Sequence, residues 1–154
     1  TLPEHAHVLV VGDMNFYSNK EPAYVAFVEI LIDPLGNAQW KNNAVAHTQS
    51  PRAVRKGGLI HGGLDDRFDF QFISTSLQDG RGLDIIVKSY LAFGNDGKHF
   101  DEAINTEGIP CFNDNEELAN ALHDASDHIP VMADYEIIKT KSENTVIPNA
   151  GQQK

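Results

Sequence analysis

Val8-Leu9-Val10-Val11-Gly12-Asp13-Met14-Asn15 is the stretch from which the rest of the chain is read. Its aliphatic run predicts a strand buried on both faces, because a half-exposed strand would alternate apolar and polar side chains. The run stops at Gly12 and delivers Asp13 and Asn15 to the C-terminal end of a core strand. In open α/β sheets that end is where ligands collect, and rigid elements hold reactive groups better than loops do. Taken alone, Asp13 and Asn15 also suit a simple turn or helix cap, the ordinary use of Asx residues.

Two later stretches favour the chemical reading. Around Arg67-Phe68-Asp69-Phe70, residues Phe68 to Ser74 alternate as a strand. Phe68, Phe70 and Phe72 face one way; Asp69, Gln71 and Ile73 face the other. An acid within so apolar a strand needs a partner. Arg67 or the backbone could serve structurally, and an imidazole is the sharper candidate. Ser126-Asp127-His128-Ile129-Pro130-Val131 then places an Asp–His pair on the loop entering a strand from Ile129 to Ile138. Pro130 is tolerated at such a strand start.

The totals bound what surrounds these motifs. A chain of 154 residues suffices for one domain with a real core. Its longest apolar run falls far short of the ~20 residues that span a bilayer, so no stable membrane insertion is expected. The formal net charge of −10 argues against a broad basic face gripping nucleic acid backbones. It does not exclude phosphate chemistry, since a bound divalent cation reverses the local field. Cys111 is the one cysteine; it permits no internal disulfide and is expected to be a small buried residue.

Between the motifs, the spacing predicts two helices. The first is capped by Ser18 or Asn19, carries Pro22 in its first turn, packs through Ala23, Ala26, Phe27 and Ile30, and ends at Pro34 and Gly36. The second is capped by Asn113 or Asp114, has Glu116 and Glu117 in its first turn, and packs through Leu118, Ala121 and Leu122. Residues 39–63 read as a polar, Gly-rich surface excursion, whose basic group Arg52, Arg55 and Lys56 is offered to an anionic substrate. Leu83 to Val87 and Ser89 to Phe93 read as short strands, followed by an Asn95-Asp96-Gly97 turn. His99 and Asp101 read as loop residues, and His99 is also a candidate substrate contact. From residue 139 the chain is polar and aperiodic, a tail or linker.

Brought together, Asp13, Asn15, Asp69, Asp127 and His128 form a set suited to phosphate esters. Asp69 would fix the tautomer of His128 and favour its protonated form. Asp127 is a hard oxygen ligand for Mg2+ or Mn2+. Asp13 could orient and deprotonate an attacking water, while Asn15 and protonated His128 bond the non-bridging oxygens.

The ordered trio Gly12-Asp13-Met14-Asn15, Arg67-Phe68-Asp69-Phe70 and Ser126-Asp127-His128-Ile129-Pro130-Val131 resembles the GDxN, RxD and SDHxPV signatures of the endonuclease/exonuclease/phosphatase superfamily, the DNase I-like fold. The stretch from Phe93 to Phe100 resembles a bacterial, often secreted subgroup, so localisation leans that way. The resemblance implies an α/β class, four-layered sandwich, divalent-metal dependence and phosphodiester or phosphomonoester cleavage. It implies that Asp13 positions water, Asn15 contacts phosphate, Asp69 pairs with His128, and Asp127 lies at the metal; Arg67 is a further candidate substrate contact. The family's N-terminal half, with its early Asn and metal-binding Glu, is not identifiable. The match covers roughly residues 6–138.

The chain therefore reads as the C-terminal portion of such a domain (residues 1–138), mostly one mixed or antiparallel sheet with flanking helices. The missing half is its expected partner, and by itself the chain is expected to be inactive. The alternative is a binding module of the same fold without catalysis. Nucleic acid, phosphoinositide and sphingomyelin all remain open as substrates, and a bared apolar face is expected to favour association.

Overall fold

The computed structural model describes residues 2–55 and 57–139. Lys56 and the polar tail from residue 140 onward lie outside the described residues. Helices and antiparallel strands are mixed, and the strands form two small sheets rather than the single sheet expected. Strand β1 (Leu9–Asp13) pairs antiparallel with β2 (Asp69–Ile73), and β3 (Gly82–Ala92) pairs antiparallel with β4 (Val131–Ile138). Helix α1 (Pro22–Val28) follows β1, and α2 (Glu116–Ala125) precedes β4.

Strand alternation sorts the β1–β2 ladder into two faces. Val10 and Gly12 stand opposite Phe72 and Phe70 on one face, while Leu9, Val11 and Asp13 stand opposite Ile73, Gln71 and Asp69 on the other. The first face builds an aromatic core of Phe16, Tyr24, Trp40, Phe70 and Phe72. Each fully buried Phe contributes roughly 1.5–3 kcal/mol over leaving it exposed. The second face meets the β3–β4 pair, where Ile73 packs with Leu77, Ile85 and Tyr90.

That pair covers β2 and leaves β1 largely bare. Leu9 is 45% and Val11 57% exposed and Val10 is half-buried, so β1 is partly buried on one face only and the doubly buried strand expected from its apolar run is corrected. An aliphatic run alone does not distinguish a strand covered twice from one whose second cover is absent. A hollow of about 310 Å³ lies beside this bare face, among Leu9, Val11, Asp69, Gln71 and Val131.

Other expectations shift locally. Pro22 opens α1 as read, but Glu21 is the N-cap residue, its carboxylate accepting from the Tyr17 and Ser18 amides. The inner stripe runs through Tyr24, Phe27, Val28 and Leu31, one step from the expected one, and Ile30 is 77% exposed. Both stripes have helical spacing; Tyr24 decides between them, because its hydroxyl donates to buried Asp33 at 3.0 Å. Helix α2 is capped by the Asn115 side chain, which accepts from the Leu118 amide at 2.9 Å, and Ala119 rather than Ala121 faces inward. The two short strands after Leu83 are one strand with a register shift between Ile86 and Leu91. Ser89 sits there, its hydroxyl donating to the Ile86 carbonyl and accepting from the Asp134 amide. Cys111 is half-buried.

Residues 39–63 are the surface excursion expected only in part. The described residues of 53–62 are nearly all exposed, whereas Trp40, His47, Thr48, Ser50 and Arg52 are buried. The buried part has polar partners inside: the His47 ring nitrogens lie 2.9 and 3.2 Å from the Trp40 and Leu64 carbonyl oxygens, and Asn95 donates to the Ala44 and His47 carbonyls. Gly63, at φ +95°, packs so closely that a Cβ there would stand 2.1 Å from the Asp101 carbonyl carbon. Among the described residues no helix is long and apolar enough to cross a membrane.

Candidate functional site

The site lies at the corner where the two strand pairs meet. Asp13 and Asp69 are the last rung of the β1–β2 ladder, facing each other across the strands. Gly12, at φ +140°, and Asn15, at φ +51°, carry the backbone through left-handed conformations that glycine and asparagine tolerate. Between them Asp13 Oδ1 accepts from the Asn15 amide at 3.0 Å, so the Asx turn and the strand-end carboxylate coexist. The Met14 amide donates to the Phe68 carbonyl at 2.7 Å and keeps the turn against β2.

His128 arrives from the loop before β4. Its backbone is seated by the Ile129 amide, which donates to the Thr48 carbonyl, and by its own amide, which donates to the Ser126 hydroxyl. Its ring Nδ1 donates to Asp69 Oδ2 at 2.6 Å. Ring Nε2 points toward Asp13, 3.9 Å from Oδ2. Asp69 is itself oriented from below, since Thr48 Oγ1 accepts from the amides of both Phe68 and Asp69. The three side chains stay open to solvent, at 39% for Asp13, 20% for His128 and 19% for Asp69.

The hydrogen bond that His128 donates to Asp69 raises the His128 pKa above its ordinary value, and the charges of Asp69, Asp13 and Asp127 add to it against the opposing effect of burial. The ring is therefore biased toward imidazolium, the state that can donate to an anionic oxygen. Asp127 is held differently. Its Oδ2 accepts from the Ile60 amide at 3.0 Å, and that bond lowers its pKa.

Two expected substrate contacts are placed elsewhere. Arg67 does not reach the site: its guanidinium donates to both carboxylate oxygens of Asp33, each at 2.8 Å, and lies 4.1 Å over the Phe70 ring. With both side chains 2% exposed, it is an internal clamp of the aromatic core, unavailable to a ligand. His99 is 1% exposed and its ring is 3.9 Å from Asp96, on the loop rather than in the site. Burial lowers its pKa, disfavouring the charged ring. Arg52 is corrected likewise. It is fully buried and donates to the His123 and Ser126 carbonyls, closing the C-terminal end of α2 instead of facing an anion.

Two residues that sequence reasoning passed over complete the corner. Thr48 orients Asp69, as above. The Gln49 carboxamide nitrogen lies 2.8 Å from His128 Nε2. Nothing in the local pattern of His47-Thr48-Gln49-Ser50 marks either; both are placed by pairing with residues far along the chain.

The donor type of Asp127 and Asp13 suits Mg2+, which is often held by one or two carboxylates together with water and substrate phosphate. Among the described residues no group of three or more His, Cys, Asp or Glu side chains is arranged to hold a metal. The corner gathers the His128 imidazole, the Asp69 and Asp13 carboxylates and the Gln49 carboxamide within 4 Å of the ring nitrogens. Set against protein-family models, curated proteins and solved structures, the chain matches none of them.

Proposed function

We propose that this chain carries the acid–base and phosphate-contacting residues of a divalent-metal-dependent phosphoesterase. One observation supports the reading above the others: Asp69 holds His128 by Nδ1 and so turns Nε2 toward Asp13, with both groups open to solvent. That pairing was expected from the motifs before any geometry, and it joins residues far apart in the chain.

In this reading Asp13 accepts the proton of the attacking water, and the Asn15 side chain and His128 Nε2–H bond the non-bridging oxygens as charge builds on phosphorus. Mg2+ or Mn2+, with Asp127 among its ligands, would polarise the phosphoryl group when bound. The substrate class is a phosphodiester, of nucleic acid or of a smaller molecule. We further infer that the two small sheets form part of a four-layered α/β sandwich, the exposed Leu9 and Val11 face being where the remainder would pack.

The test is hydrolysis by the complete gene product of plasmid DNA, RNA, a chromogenic phosphodiester and a phospholipid, with Mg2+ and with chelator. Activity should need the metal and fall at least about a hundredfold in Asp13→Ala and His128→Ala, the scale of a lost general acid or base. Undiminished rates in both variants would remove the reading. Phosphate binding without turnover would favour a binding module of the same fold.

A further inference from the structure

Phe16 sets the course of the loop that follows β1. Its ring is buried in the aromatic core, at edge-to-face angles to Tyr24, Phe70 and Phe72. The residues on either side of it, Asn15 and Tyr17, are both exposed. Two residues apart, their Cα atoms lie at most about 7 Å from one another. The backbone between the corner and Tyr17 is fixed: the Tyr17 amide donates to Glu21 Oε1 at 2.6 Å, and the Met14 amide to the Phe68 carbonyl at 2.7 Å.

Three rings follow one another outward from the site. The His128 imidazole lies 6.4 Å from the Phe68 ring, centre to centre, and Phe68 in turn lies 4.8 Å from the Tyr17 ring, edge to face at 76°. Phe68 is 2% exposed, whereas Tyr17, at the end of the row, is 64% exposed. Covering Phe68 thus uses part of the tyrosine ring and leaves the rest to solvent. The Tyr17 hydroxyl bonds to nothing among the described residues, so the position presents a ring rather than a phenol. A fixed, open aromatic ring beside a corner read as taking phosphate is what a nucleobase stacks on, whichever base it is. Stacking needs no basic surface, in keeping with a net charge of −10. An acyl chain would need a trough, and a single ring offers none.

We propose that Tyr17 is a substrate-contacting residue of this site, stacking against the base of the nucleotide whose phosphate lies between Asn15 and His128. The short step from Asn15 to Tyr17 is of the order of a nucleotide's span from phosphate to base. The substrate is then a nucleotide phosphodiester with an unpaired base, held by stacking rather than by charge along its backbone. The proposal rests on the phosphoesterase reading and narrows its substrate class.

Adenosine 5′-monophosphate, ribose 5-phosphate and octyl phosphate, each titrated into the isotope-labelled protein, provide the test by NMR. All of them should move the Asn15 side-chain and His128 ring signals. Only the adenosine compound should also shift the Tyr17 ring protons upfield, and it should bind about fivefold or more tightly than ribose 5-phosphate, as for one base on one aromatic ring. Tyr17→Phe should keep that preference. Tyr17→Leu should lose it while ribose 5-phosphate affinity stays unchanged, and the low-field proton of the Asp69–His128 bond should survive in both variants. The comparison of ligands on the unaltered protein carries the test should the leucine variant fail to fold. Equal affinity for the adenosine compound and ribose 5-phosphate, octyl phosphate bound as tightly as the adenosine compound, or a preference kept in folded Tyr17→Leu overturns this proposal alone. No response at Asn15 or His128 to any of the ligands overturns it together with the phosphoesterase reading.

Discussion

His128 Nδ1 and Asp69 Oδ2 stand 2.6 Å apart although 59 residues separate them in the chain. The bond is short, charge-assisted and partly shielded, the kind that outweighs an ordinary neutral pair. It orders the imidazole and determines which nitrogen is left for chemistry.

Asp69→Asn should therefore lower the His128 pKa toward its ordinary value, because the principal cause of the upward shift is removed. A 15N-resolved titration of the ring reads this directly. Turnover of a phosphodiester by the complete protein should fall by roughly 10²–10⁴, the range for a general acid or base.

The same shift has a signed consequence for stability. A histidine whose pKa is raised by folding adds stability that is fully present below its unfolded value, near 6.5, and is lost as pH rises through the folded value. Asp127 works the other way: its lowered pKa adds stability above about 3.8 that is lost as pH falls through the folded value. Urea midpoints measured across pH should show the alkaline decline in the unaltered protein and a flatter curve in His128→Gln.

Arg67→Met should destabilise by about 3–5 kcal/mol, since it leaves the Asp33 carboxylate buried without its counter-charge. Asp33→Asn should cost a similar amount from the other side. Chemical denaturation checks both. Because Arg67 lies inside the core, Arg67 variants that remain folded should keep the phosphate affinity of the unaltered protein.

Arg52→Met should cost about 1.5–3 kcal/mol for each charged hydrogen bond lost at the end of α2. It should also loosen the Ser126-Asp127-His128 loop. The expected sign is faster hydrogen exchange at the His128 and Ile129 amides, with the β1–β2 ladder unchanged.

What the sequence made legible was local chemistry tied to strand ends. Asp13, Asn15, Asp69 and His128 were readable because each sits at a strand terminus or turn where a polar residue interrupts an apolar run. Arg67 was misassigned because adjacency to Asp69 suggested a nearby role, whereas its partner, Asp33, lies in the loop after α1. Residues 39–63 misled in part by composition: the glycine-rich stretch 53–62 is largely exposed as a loop should be, yet Arg52 and His47 before it are buried against distant carbonyls. Pairing of this kind leaves no periodic trace. Gln49 and Thr48 escaped notice for the same reason.

Asp69 belongs to one antiparallel strand pair, and His128 to the lead-in of the other. The contact between them is thus a latch as well as a piece of chemistry. Asp69 also lines the hollow beside Leu9 and Val11, so the latch and the bare face of β1 share one wall.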